Sequence, residues 1–94
     1  MRQIPVIKYE DGQTSMLLYQ NALSIPQGKG DYDEMAIVAP ILSKVAGANG
    51  ILFLTEHEWE ELCDRLIKVK FQQMTIIAYE AVKAALNAEE CDAD

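Results

Sequence analysis

The clearest pattern in the chain lies between residues 55 and 70, where Trp59, Leu62, Cys63, Leu66 and Ile67 recur at i, i+3, i+4, i+7 and i+8. That spacing puts one apolar stripe on a helix. Thr55 and Glu58 occupy the positions of a capping box, and Leu54 can staple onto Trp59 across it. Glu56, Glu58, Glu60 and Glu61 stand in the first turns and Arg65, Lys68 and Lys70 near the end, the order the helix dipole favours. A second helix is expected from Asp31 to about Ala46, with Asp31 and Glu34 as a capping-box-like start and Met35, Val38, Leu42 and Val45 at helical spacing, Ile41 beside them. Pro40 falls inside it and is expected to kink or divide it, because its ring crowds the carbonyl four residues back. Gly47-Ala48-Asn49-Gly50 supplies a stop tolerant of left-handed geometry. Ile51 to Leu54 reads as a short buried strand. After a bend at Phe71-Gln72-Gln73, a last helix is expected over about Met74 to Asn87. Ile76, Ile77, Val82 and Leu86 are available there for burial, and Ala78, Ala81, Ala84 and Ala85 for close helix approach.

Residues 4–19 read as a β-hairpin. Ile4 to Tyr9 is rich in β-branched and aromatic residues, Asp11-Gly12 suits a type I′ turn, and Thr14 to Tyr19 returns. One face of that hairpin carries Ile7, Tyr9, Met16 and Leu18, the other Ile4, Val6, Leu17 and Tyr19. The same residues support a competing reading, in which Met16 to Ser24 is a short helix begun at Ser15. Ile25-Pro26-Gln27-Gly28-Lys29-Gly30 is a connection. The expected fold is therefore α+β: an N-terminal hairpin, then three α-helices, with a possible short third strand. Residues 1–88 form a single domain and 89–94 an acidic frayed tail. The expected core is Ile7, Met16, Leu18, Val38, Leu42, Phe53, Trp59, Leu62, Leu66, Ile76 and Val82.

Charge narrows the function. The 94 residues carry a net charge of -7. The first thirty residues sum to +1, residues 31–54 to -2 and residues 55–94 to -6. Phosphate binding needs clustered Lys and Arg, which this chain lacks, so no direct nucleic-acid or anionic-membrane contact is expected. No stretch is apolar enough for a membrane span and no signal peptide is visible, so a cytoplasmic location is expected. Cys63 and Cys91 form no CxxC and there is one His, which fits neither a zinc site nor a disulfide framework.

Candidate chemistry is sparse. His57-Glu58-Trp59-Glu60-Glu61 is a near miss to the HExxH zinc motif, lacking its second His. Gln27-Gly28-Lys29-Gly30 has a phosphate-loop flavour but fits neither GxxxxGK[ST] nor GxGxxG, and a flexible connection is the simpler reading. Asp31-Tyr32-Asp33 starts like a calcium loop, but Met35 takes a ligand position. No nucleophile-elbow motif accompanies the single His. No metal, cofactor or enzymatic activity is expected. Glu56, Glu60, Glu61 and Asp64 form a candidate acidic face that could imitate a nucleic-acid backbone, against the plainer reading of capping acids on a solvated helix.

Ile4-Pro5-Val6, Asp11-Gly12, Pro26-x-Gly28, Asp33-Glu34-Met35 and Leu54-Thr55-x-x-Glu58-Trp59-x-x-Leu62 together resemble small proteins encoded by bacteriophages and prophages. The resemblance implies a virion-assembly accessory or an inhibitor of a host or defence complex, and brings no catalytic or ligand residues with it. The leading expectation is a non-enzymatic protein–protein interaction module of that type. The alternative is an acidic inhibitor that blocks a nucleic-acid-binding partner. A homodimer through Ile4, Val6, Leu17 and Tyr19 is also expected, because three short helices cover only one face of a two-stranded sheet.

Overall fold

Segments far apart in the sequence meet in one small antiparallel sheet. The computed structural model describes residues 1–69 and 75–90. In chain order the elements are β1 (Arg2–Pro5), α1 (Ser15–Ser24), α2 (Tyr32–Ala46), β2 (Ile51–Leu54), α3 (Glu56–Lys68), α4 (Ile76–Leu86) and β3 (Glu89–Glu90). The sheet order is β2-β1-β3, both pairings antiparallel. The class is α+β, as the patterning predicts.

The hairpin is where expectation and structure part. Its turn exists: Gly12 has φ +86°, and the Tyr9 and Gln13 backbones bond across it at 2.9 Å. A single bridge, Lys8 to Thr14, follows. Thr14 then caps a helix, its hydroxyl accepting from the Met16 N–H, while the Ser15 hydroxyl accepts from Ile7. Two hydroxylated residues at a helix start favour capping over a continued ladder. Met16, Tyr19 and Leu23 then share the buried side of α1, a helical spacing that outcompeted the alternation. β1 instead pairs with β2, Ile4 opposite Leu52 and Arg2 opposite Leu54. Glu89 and Glu90, assigned to the tail by sequence, lie opposite Gln3 and Arg2 as β3.

Along β2, Leu52 and Leu54 turn inward while Ile51 and Phe53 face out, so Phe53 is not a core residue. α2 runs unbroken through Pro40, whose ring lies on the exposed side beside Ala36; the carbonyl it leaves unpaired can be served by water. α3 begins with the complete capping box and buries Leu62, Cys63 and Leu66. Its buried arc extends to Arg65 rather than to Ile67, which is exposed. Trp59, Leu18, Leu42 and Val82 pack partly buried against the core, and Met16 and Val38 are buried within it. Ile7 is half-buried.

α4 uses its alanines for close approach as expected but leaves most of its larger apolar residues outside. Ala81 and Ala85 are fully buried, whereas Ile76, Ile77 and Leu86 are exposed, so Ile76 too leaves the predicted core. The alanines let α1 and α3 come close enough for side chains to reach the α4 backbone. The Tyr19 hydroxyl donates to the Ala81 carbonyl at 2.6 Å, and Trp59 Nε1 donates to the Ala85 carbonyl at 2.8 Å. Ala81→Leu should therefore cost about 1–3 kcal/mol by overpacking. Urea denaturation checks this, and an unchanged midpoint would mean that α4 is loosely seated. The predicted bend at Phe71-Gln72-Gln73, the Met74 helix start and Cys91 lie outside the described residues.

Candidate functional site

The connection before α2 is a cradle rather than a flexible link. Gly30, at φ +67°, turns the backbone so that its N–H faces the same way as those of Gln27 and Gly28. Such converging N–H groups make an anion site. The anion here is the chain's own Glu34. Its Oε2 accepts from Gln27 at 3.0 Å and Gly28 at 2.8 Å, and its Oε1 accepts from Gly30 at 2.7 Å. Asp31 alone caps the helix, accepting from the Glu34 N–H.

Arg65 supplies the fourth donor. Its Nη1 donates to Glu34 Oε2 at 3.1 Å and its Nε to Glu61 Oε1 at 2.8 Å. The residue is 6% exposed, buried beneath α2 and the loop. Gln27 closes the circuit by donating Nε2 to the Arg65 carbonyl. The Gln27 and Gly30 N–H groups, with Arg65 and Gly28, hold the Glu34 carboxyl below its ordinary value despite partial burial. The folded chain thus binds fewer protons here than the unfolded chain. Stability from this carboxylate is full above the unfolded value of 4.5 and is lost as pH falls through the lower folded value. Glu34→Gln should flatten the decline in stability below pH 4.5. Acid-unfolding curves that superimpose on the wild type would refute it.

Beside this latch lies a groove of about 300 Å³, at the small end of ligand sites. Leu23, Ile25 and Pro26 form one wall and Met35, Val38 and Leu42 the other, with Gly30, Asp31, Glu34 and Arg65 at the polar end. Met35 is 61% exposed and Ile25 46%, so the apolar lining opens to the surface.

The site residues expected from sequence are dispersed. Ile4 and Tyr19 are fully buried in the protein's own core, Val6 packs partly buried against it, and Leu17 is exposed on α1. With no hairpin they form no common face, which corrects the interface drawn from them. The acidic face is largely engaged within the molecule. Glu56 pairs with Arg2 at 2.8 Å, Glu61 with Arg65 and Asp64 with Lys68 at 3.0 Å. Arg2 also lies over the Trp59 ring, 4.1 Å from its centre. Glu60 makes no ion pair among the described residues. Glu58 is used by the capping box and Lys44, and His57 is exposed.

Among the described residues, no group of three or more His, Cys, Asp and Glu is placed to hold a metal. Burial pushes the Cys63 thiol up to about 11, and no described helix is long and apolar enough to cross a membrane. Sequence reasoning missed Arg65 and the real partners of Glu34. The signal was an Arg flanking an apolar stripe and an acid just beyond a Gly-x-Gly loop. No protein-family model, curated protein or solved structure matches the chain.

Proposed function

We propose that this chain is a non-enzymatic protein–protein interaction module whose partner docks in the groove between α1 and α2. The observation that carries this is the pairing of an open apolar lining with a Glu34 and an Arg65 that are already committed to partners within the chain. Glu34 accepts from four donors and Arg65 holds two carboxylates, so neither stands free as a base or an anion receptor. What the groove offers is apolar surface, and exposed apolar surface of this kind marks association sites. A cytoplasmic setting, and a place among small phage-encoded accessory proteins, rest on the sequence reading alone. The acidic-inhibitor alternative loses ground because three of its four carboxylates have cationic partners within the chain.

The test uses the full chain as bait in its native host. Met35→Glu and Ile25→Glu change exposed side chains and should leave the fold intact. Each should abolish retention of a partner that the wild type holds, whereas Ile67→Glu, on an exposed position of α3, should retain it. The same retained proteins for all four chains would remove the groove from the function.

A further inference from the structure

Building on that docking reading, we infer that the partner presents a basic amphipathic helix to the groove. One wall is a helical stripe, Met35, Val38 and Leu42 at i, i+3 and i+7, about 10 Å long at the rise of an α-helix. The facing wall ends α1 at Leu23 and continues into Ile25 and Pro26. The trough between the α2 stripe and the end of α1, with Leu23 and Val38 buried along it and Ile25 and Met35 exposed, is long enough to take the apolar side chains of two turns of a helix. No strand borders the groove, so strand addition is not open to a partner there.

Charge selects what flanks those apolar anchors. Residues 24–42 hold three acids, Asp31, Asp33 and Glu34, and one base, Lys29. Glu34 is matched by Arg65, and Arg65 is itself shared with Glu61. Asp31 and Asp33 remain against Lys29 alone, both exposed, Asp31 at the polar end of the groove and Asp33 in the first turn of α2. An acidic helix would meet these carboxylates as like charges, while Lys or Arg one turn beyond the anchors would oppose them. Complementarity of this kind sets partner choice and orientation.

The probes are two helical peptides of about 15 residues, long enough to populate a helix. Both carry Leu at i, i+3 and i+7; one is flanked by Lys and the other by Glu. Each is titrated into the full isotope-labelled chain and followed by backbone amide shifts. The Lys peptide is expected to move Leu23–Ile25 and Asp31–Leu42 and to bind about fivefold more tightly than the Glu peptide, the scale of a pair of exposed ion pairs. That preference should shrink at high salt. Asp33→Lys, at an exposed position, should erase that preference. Equal affinity of the two peptides in the groove would overturn the basic partner while leaving the docking reading intact. Shifts elsewhere, or none with either peptide, would overturn the helix inference. The docking reading then stands or falls separately on whether Met35→Glu loses the partner in the host.

Discussion

Leu66→Ala should lower the free energy of unfolding by about 2–5 kcal/mol, a large share of the roughly 5–15 kcal/mol available to a domain. Leu66 is 1% exposed and lies on the buried side of α3 with Leu62, in the core that also holds Ile4, Ile41 and Leu54. Truncation removes apolar contact and leaves a cavity that the surrounding helices can close only in part. The measurement is chemical denaturation, with helical content confirming that the variant is folded. A loss below about 0.5 kcal/mol would place the α3 stripe outside the core.

Arg65→Met should cost a comparable amount, about 3–5 kcal/mol, for an electrostatic rather than a packing reason. Methionine replaces much of the buried aliphatic stem, so the expected loss comes from the missing guanidinium. Its removal leaves Glu34 and Glu61 without their shared cation. Glu34 keeps its three backbone donors, but Glu61 keeps no ion-pair partner among the described residues. Combining Arg65→Met with Glu61→Gln should therefore recover part of the loss, and the non-additivity measures the coupling. Strict additivity, or a single variant as stable as the wild type, would show that the latch contributes nothing.

The elements legible from sequence are those whose signals are local. Thr55-x-x-Glu58 announces α3, Asp31 announces α2, and the short run Ile51 to Leu54 is a strand because Gly50 and Thr55 bracket it. Even the Asp11-Gly12 turn forms where it is expected. What the local signal lacks is the partner. Residues 16–19 fit an alternating pattern as well as a helical one, and only the availability of Leu52 and Leu54 opposite Ile4 and Arg2 settles which strand β1 takes. In α4 the close approach of Tyr19 and Trp59, which reach the Ala81 and Ala85 carbonyls, leaves room inward only for small side chains, so the alanines face in and the isoleucines face out. A hydrophobicity count puts Ile76 and Ile77 inward as well, which the structure does not. At the candidate site the loop was visible and its occupant was not. Glu34 stands where a capping acid stands, and its use as the ligand of the preceding loop depends on Arg65, 31 residues further on.

The strand order carries a consequence for how the chain is made. β1 precedes both of its neighbours in the chain, residues 51–54 and 89–90, the second of them lying after all four described helices. During synthesis α1 and α2 are made before β2, so Ile4 waits for Leu52 until both of those helices are out. Joining segments so distant slows folding, and an unpaired strand is open to the wrong neighbour. Arg2 and Pro5, one charged and one lacking an N–H, stand at the two ends of that strand. They are the residue types that blunt a strand edge against other chains. Nascent chains released before residue 51 should therefore be the ones that quality control meets, with β1 their exposed mark.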